Sequence, residues 1–260
     1  MNEFVYATVN SSLAEGKVRC IELNRPERLN AMNLQLVRDV AQAFRDAHEE
    51  PASNVILFTG AGRAFCAGDD RHEHSHPENA EAASALVEAI QDATRAISFG
   101  PKPVVGAING WAVGGGFEWA INCDFPLWAE TAKGFFPEVS LNLFVTGAVT
   151  SLLPALAGLQ KAREMLFLGQ HYTAAELRDA GVAWRVVPDA ALQKDAMAVA
   201  HQLAALPPLA VRAMKRTLNL TASTDLNRAI QLETDATIAG FQDPETTRLL
   251  KDFKRAPAKK

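Results

Sequence analysis

The stretch NGWAVGGGFE, residues 109–118, predicts both the fold and a candidate site of this chain. It follows the apolar run PVVGAI of residues 103–108, which reads as a buried strand ending at an Asn-Gly turn. Three consecutive glycines, residues 114–116, then begin a helix. The first N–H groups of a helix have no intrahelical acceptor, and the helix dipole adds positive charge there, so this backbone suits an oxyanion beside Glu118. Tight helix packing explains the glycines equally well when they are considered alone.

The chain around this stretch alternates strand-like and helix-like segments. The spacing of apolar residues, with Gly and Pro at the segment ends, predicts strands at 18–23, 54–59, 103–108 and 184–188. The same signals predict helices at 34–48, 80–97 and 159–168. Thr173 and Glu176 fit a capping box at a further helix start, and almost only helix is expected after residue 189. The pattern predicts an α/β core, residues 1–195, followed by a helical region, residues 196–260.

Composition narrows the class of protein. The 260 residues are 48% hydrophobic and 22% charged, with a formal net charge of -4, which argues against nucleic acid as a partner. Three widely spaced cysteines favour a reducing compartment over a disulfide framework. No apolar run has the length of a membrane span, and the N-terminus lacks the pattern of a signal peptide. We therefore expect a cytoplasmic protein without a membrane partner.

A second glycine-rich stretch, GAGRAFCAGDD of residues 60–70, follows a predicted buried strand. Ligands of α/β proteins bind at such strand ends, so a dinucleotide fingerprint has to be considered. Phe65 stands where that fingerprint needs its third glycine, and Gly68 interrupts the required helix, which excludes it. A phosphate-binding loop pattern is also absent from the sequence. Cys66 has no activating base nearby in sequence and is interpreted as a small buried hydrophobe.

Two further groups of titratable residues are candidates for chemistry. Glu138 follows two aromatic residues and a proline, so burial there would raise its pKa and suit proton transfer, although a surface Glu after a strand is the simpler interpretation. His72, His74 and His76 alternate and would share one face of a strand, as metal ligands do. Their charged flanks and the following proline favour a solvated loop, so we predict no metal site.

In combination, these segments resemble the crotonase family, the enoyl-CoA hydratase/isomerase group, over almost the whole chain. The resemblance is carried in order by residues 24–31 (NRPERLNA), 64–69 (AFCAGD), 102–110 (KPVVGAING) with the triple glycine and 123–124, 173–182, and 243–254. It implies a spiral of repeated ββα units with a helical C-terminal region for trimerisation. It also implies an acyl-CoA substrate, no separate cofactor, and a homotrimer or a dimer of trimers.

The resemblance assigns roles to particular residues. The backbone N–H groups of Asp69 and Gly115 would form the oxyanion hole, and Glu118 and Glu138 would be the two acids of a hydratase of fatty acid metabolism. Coenzyme A would lie along the 67–72 loop and near Arg28. The residues implied for it are Arg28, Ala67, Gly68, Asp70 and Arg71, with Lys254 or Arg255 contributing across a subunit boundary.

The sequence departs from the family after the second glutamate. The family usually reads L-G-x-x-P-G-x-G-G-T there, whereas residues 141–150 read LNLFVTGAVT. Thr146 takes the place of a glycine whose backbone lies near the catalytic water and the acyl pocket. Asp69 replaces the usual alanine of the oxyanion hole, and we expect its carboxylate to point outward. The neighbouring aromatics are interpreted mainly as core, with a ring-accepting pocket as the alternative: Trp111, Phe117, Trp119, Phe135 and Phe136.

Three hypotheses follow. The first is an enoyl-CoA hydratase with Glu118 and Glu138 as acid and base. The second keeps the oxyanion hole but changes the reaction to double-bond isomerisation, thioester hydrolysis or C–C cleavage, as the altered 142–149 loop suggests. The third is a non-enzymatic assembly or RNA-binding relative, which the acidic balance and the two glutamates disfavour.

Overall fold

A computed structural model describes residues 4–73, 77–221 and 225–255, with side chains described up to residue 251. His74 and His76, considered above as metal ligands, lie outside the described residues. The side chains of Lys254 and Arg255, considered for coenzyme A, lie outside them as well.

The strands of the described residues form two sheets. In chain order they are β1 (Val9–Ala14), β2 (Val18–Leu23), β3 (Val55–Gly60), β4 (Ala64–Cys66), β5 (Val104–Ile108), β6 (Trp111–Val113), β7 (Phe125–Ala129), β8 (Lys133–Phe135), β9 (Tyr172–Thr173) and β10 (Arg185–Val187). The larger sheet has the order β1-β2-β3-β5-β7-β10, with β1 antiparallel to β2 and the remaining pairs parallel. The predicted buried strands β3 and β5 lie at its centre.

The smaller sheet positions the candidate site. Its order is β4-β6-β8-β9, and β4, β6 and β8 are parallel neighbours. Each of the three has only three residues, which is too short for a sequence period to reveal. Their carboxyl ends lie on one edge of this sheet, and a site built from the segments that follow them is expected there.

Helices connect and cover the strands. They are α1 (Leu34–Glu49), α2 (Ala80–Phe99), α3 (Gly115–Ile121), α4 (Val149–Ala157), α5 (Leu159–Leu168), α6 (Ala174–Asp179), α7 (Leu192–Ala204), α8 (Pro208–Thr221), α9 (Leu226–Gln242) and α10 (Pro244–Arg255). The predicted capping box is confirmed: Thr173 and Glu176 bond each other's backbone N–H at the start of α6. The alternation of strands and helices confirms the α/β class.

The core is rich in buried aromatics. Phe58 of β3 packs edge-on against Phe44 and Phe65 at centroid separations of 5.0 and 5.1 Å. Of the aromatics near the glycine motif, Phe117, Trp119 and Phe136 are fully buried, as the core interpretation expects. Trp111 and Phe135 are only partly buried, and both pack against the ring of His171.

The helical C-terminal region is joined to the core in three ways. α7 packs on β3 and β5. The predicted boundary between the core and the helical region, at residue 195, therefore falls inside this one helix. α9 packs on α2 and α4. On α8, the buried Lys215 donates to Asp124 of the core at 2.7 Å.

In the described ranges, helices that are both long and apolar enough for a membrane span are absent.

Candidate active site

Three segments meet at the carboxyl edge of the smaller sheet. Residues 67–70 follow β4, the glycines 114–116 follow β6, and Glu138 follows β8 after two intervening residues. The first two segments touch directly: a Cβ atom on Gly68 would lie 2.8 Å from the carbonyl oxygen of Val113, and one on Gly116 would lie 2.4 Å from that of Cys66. Glycine at these positions therefore permits the close approach of two backbones.

The two backbone segments that carry the amides predicted for the oxyanion hole both lie against Met32. The Met32 N–H donates to Gly68 O at 2.7 Å, and the Asp70 N–H donates to Met32 O at 3.0 Å, so Asp69 directs its own N–H away from Met32. The Met32 sulfur lies 2.8 Å from the position that a Cβ on Gly115 would occupy. Gly115 is the first residue of α3, where the N–H has no intrahelical acceptor.

Gly114 brings Glu138 to the same turn. Its φ of +52° lies in the left-handed region, and its N–H donates to Phe135 O at 3.0 Å. A Cβ on Gly114 would lie only 2.5 Å from Oε1 of Glu138. The absence of a side chain here therefore lets one carboxylate lie directly against the start of α3.

Glu118 places the second carboxylate one helical turn further on. It is 2% exposed, and both of its oxygens accept hydrogen bonds from Thr146. The backbone N–H of Thr146 donates to Oε1 at 2.7 Å, and its hydroxyl donates to Oε2 at 2.5 Å. Burial raises the pKa of Glu118, and the two hydrogen bonds from Thr146 oppose that rise because they favour the ionised form.

Glu138 has no such pair of donors, and the hydrogen bond that favours its ionised form comes from its own backbone. Its Oε2 is buried and accepts no hydrogen bond from any residue that the structure describes. Burial raises the pKa of Glu138 well above its ordinary value, and the nearby negative charge of Glu118 raises it further. The two environments separate the two pKa values, with that of Glu138 raised further than that of Glu118, and such a separation lets one group act as base and the other as acid.

Residues that the sequence did not indicate hold the segment carrying Thr146. Gly147 donates its N–H to Gln91 at 3.3 Å, and its carbonyl oxygen accepts from Asn122 at 2.9 Å. One and three residues after Gly147, Ala148 and Thr150 donate their N–H groups to the buried Glu233 of α9. Gln91 and Glu233 lie on helices in distant parts of the sequence, and Asn122 directly follows α3, so no single local motif combines these residues.

The residues implied for coenzyme A lie beside this site. Arg28 is exposed on a short turn, and the neighbouring Leu29 accepts a hydrogen bond from the Ala67 N–H at 3.1 Å. Gly68 is buried against β6, whereas Asp69 is exposed, in keeping with an outward carboxylate, and Arg71 is half-buried. Arg28 and the 67–71 loop therefore form one continuous edge of the site.

Asp70 belongs to this loop but faces inward. It is 1% exposed, and its Oδ2 accepts from the buried Arg25 at 2.8 Å, while its Oδ1 accepts the N–H groups of His72 and Glu73. Its carboxylate is thus occupied within the protein, and its contribution to the site is to hold the loop. The hydrogen bonds from His72, Arg25 and Glu73 outweigh burial and lower the pKa of Asp70.

Asp70→Asn is expected to lower the free energy of unfolding by about 3 kcal/mol at neutral pH, because it leaves the Arg25 charge buried with fewer partners. A lowered folded-state pKa gives stability that is present above the unfolded-state pKa and lost as pH falls through the folded one. The deficit measured by urea unfolding should therefore shrink toward acidic pH. A deficit independent of pH would contradict this ion pair.

The described residues hold no group of three or more His, Cys, Asp or Glu side chains arranged to bind a metal. His72, the described member of the histidine triplet, is exposed. The chemical groups gathered at the glycine turn are two carboxylates in different environments and the amides at the start of α3 and after β4. Such a set polarises a carbonyl and transfers protons next to it.

The fold brings two carboxyl groups and two glycine-rich backbone segments together at one edge of a sheet, and comparison with known proteins identifies the family. The family model described as enoyl-CoA hydratase/isomerase matches residues 14–254. The chain belongs to the enoyl-CoA hydratase/isomerase family. The fold implied by the resemblance is confirmed by a crystal structure of an enoyl-CoA hydratase from Mycobacterium avium subsp. paratuberculosis, with a TM-score of 0.86, 26% identity, and coverage of 95% of this chain and 99% of that one.

Relatives in other organisms carry names of different reactions. The chain is 32% identical to a crotonyl-CoA hydratase of Syntrophomonas wolfei over 225 residues, covering 85% of each chain. It is 31% identical to a 1,2-epoxyphenylacetyl-CoA isomerase of Escherichia coli over 238 residues, covering 90% of this chain and 89% of that one. Similarity therefore establishes the family but leaves the reaction to be argued from the site.

Proposed function

We propose that this protein is an enoyl-CoA hydratase, which reversibly adds water across the double bond of a 2-enoyl-CoA thioester. The observation that carries the proposal is the pair of carboxyl groups at one glycine turn, of which Glu118 is buried and Glu138 is half-buried. Glu118 has two hydrogen-bond donors on its oxygens, and Glu138 has a buried oxygen with no donor among the described residues. A hydration needs one group that takes a proton from water and another that gives a proton to carbon.

The thioester carbonyl would bind the two backbone amides. The N–H groups of Asp69 and Gly115 would donate to its oxygen and stabilise the negative charge that develops there as the thioester becomes an enolate. Both donors are backbone atoms fixed by β4, β6 and α3, so they need little reorganisation during the reaction. This placement sets the double bond beside Glu118 and Glu138.

Proton transfer would then follow the protonation states of the two acids. The Glu118 carboxylate takes a proton from water as the water oxygen bonds to C3, and the electron pair of the double bond moves toward the thioester oxygen. The enolate collapses as C2 takes the proton of the Glu138 carboxylic acid. One proton has moved from water to Glu118 and one from Glu138 to carbon, and transfer between the two acids restores the starting state.

One observation favours a second candidate, double-bond isomerisation. The Thr146 N–H points at Glu118, at the position where the family presents a glycine N–H near the catalytic water. If that amide does not hold water, the same two acids can move a proton between C2 and C4 of an enoyl chain. Thioester hydrolysis and C–C cleavage have no comparable observation in their favour.

A panel of acyl-CoA substrates distinguishes these reactions. With crotonyl-CoA, we expect a product heavier by one water molecule, detected by mass spectrometry of the intact thioester. A product of unchanged mass with a shifted double bond from a 3-enoyl-CoA, in the absence of any hydration, would replace hydratase by isomerase. Free coenzyme A would indicate hydrolysis. The homotrimer and the cytoplasmic location stay predictions.

A further inference from the structure

Another buried carboxylate lies behind the site and has no part in the proton transfers above. Glu233 of α9 is 0% exposed. Its Oε2 accepts the Ala148 N–H at 2.8 Å, and its Oε1 accepts both the N–H and the hydroxyl of Thr150, at 2.8 and 2.7 Å. These donors lie at the start of α4, so the carboxylate of one helix caps the N-terminus of another.

The backbone held by Glu233 has an unusual conformation. Ala148 has a φ of +54°, in the left-handed region that residues with a Cβ rarely adopt, and Gly147 before it has a φ of +73°. Two successive left-handed residues turn the chain sharply. The turn brings Gly147 against Glu118, since a Cβ on Gly147 would lie 2.7 Å from the Cβ of Glu118. A conformation of this kind persists where its surroundings fix it, and the bonds to Glu233 do so.

The turn begins at Thr146, the residue that donates to the proposed general base, Glu118. Thr146 lies two positions before Ala148 and donates both its N–H and its hydroxyl to Glu118. We propose that Glu233 is a positioning residue, which fixes the 146–150 turn so that both Thr146 donors point at the Glu118 carboxylate. The proposal rests on the proposed function in one respect, that Glu118 acts as the catalytic base. The contacts of Glu233 and Thr146 do not depend on which reaction is catalysed.

Removal of the Glu233 charge has two possible consequences of opposite sign. Burial is the main cause of the raised pKa of Glu233, about 7, and the repulsion between the negative charges of Glu118 and Glu233 adds to it. If charge alone connected the two residues, Glu233→Gln would lower the pKa of Glu118. If Glu233 fixes the turn, the same substitution loosens the Thr146 donors, which favour the ionised form, and the pKa of Glu118 rises.

The experiment is a carbon-13 NMR titration of the Glu side chains in the full-length protein, with the Glu118 signal assigned by its loss in Glu118→Gln. Thr146→Val, which removes the hydroxyl and keeps the N–H, is the reference for a lost donor. Glu233→Gln is expected to raise the Glu118 pKa in the same direction as Thr146→Val. We also expect kcat for hydration to fall about 100-fold, as for a misplaced catalytic group, with KM changed far less. A lowered or unchanged Glu118 pKa in Glu233→Gln would overturn the proposal.

Two further variants keep this test decisive. Glu176→Gln removes a carboxylate that caps α6, away from the site, and is expected to leave kcat and the Glu118 pKa unchanged. If Glu233→Gln does not fold, Thr150→Val removes one donor to Glu233 and should shift the Glu118 pKa upward by a smaller amount, whereas no shift would count against the proposal. Because the titration needs no turnover, a wild-type protein that does not hydrate crotonyl-CoA would refute the proposed function without affecting this result.

Discussion

Glu138→Gln is expected to lower kcat for hydration of crotonyl-CoA by about 10²–10⁴-fold, the usual contribution of a positioned acid or base. The amide has the shape of the carboxylic acid but has no acidic proton to give to C2. KM should change little, because Glu138 lies at the glycine turn rather than along the 67–71 loop implied for coenzyme A. Initial rates at saturating substrate measure the loss directly.

The pH profile separates the two acids. The base must be ionised, so activity is lost as pH falls through the pKa of Glu118; the acid must be protonated, so activity is lost as pH rises through the pKa of Glu138. Burial raises both values, which places the acidic limb above the ordinary carboxyl range of about 4.

Matched variants complete this test. Glu118→Gln should remove the acidic limb and Glu138→Gln the alkaline one, while Glu130→Gln, at an exposed position after β7, should retain wild-type rates. Full activity in both site variants would refute the assignment of these two acids.

Gly115→Pro is expected to lower kcat by about 10²–10³-fold, the cost of removing one donor from an oxyanion hole. Proline has no N–H, and the first position of a helix tolerates it better than any other helical position. Gly115 occupies that position in α3, so the substitution removes the donor with little direct effect on helix hydrogen bonds. The variant isolates the amide predicted to bind the thioester oxygen.

Gly115→Ala is the control for size. A Cβ atom at position 115 would lie 2.8 Å from the Met32 sulfur, whether it belongs to alanine or to proline. The alanine variant, however, retains the backbone N–H. We expect Gly115→Ala to lose much less activity than Gly115→Pro, since the Met32 side chain is flexible. Circular dichroism and binding of coenzyme A would show that both variants are folded. Equal losses in the two variants would assign the effect to crowding rather than to the missing donor.

The sequence predicted the long elements of this fold and the short strand β10, but not the three-residue strands of the smaller sheet. α1, α2, β3 and β5 follow the predicted ranges to within two residues, because each has enough positions for a period or an apolar run to be clear. The strands β4, β6 and β8 have three residues each and are held by pairing between distant parts of the chain. Local sequence patterns contain little information about such pairing. The strands that position the site were therefore the ones that the sequence did not reveal.

The candidate site divides in a similar way. The glycine turn and Glu118 are local features of one motif, and the structure brings Glu138 to them as the resemblance implied. Thr146 was recognised only as a departure from the family, and its two hydrogen bonds to Glu118 depend on the left-handed turn that follows it. Glu233 lies 115 residues after Glu118 in the sequence, on an ordinary amphipathic helix, and only the packing of α9 on α4 reveals it.

The most direct test of the account is a crystal structure of the protein with acetoacetyl-CoA, which resembles the substrate but cannot be hydrated. The thioester oxygen should lie about 2.7–3.1 Å from the backbone nitrogens of both Asp69 and Gly115, the distance of a preorganised oxyanion hole. Its C2 and C3 atoms should lie between the carboxyl groups of Glu118 and Glu138. A thioester oxygen bound elsewhere, or an acyl chain that reaches neither carboxyl group, would contradict it.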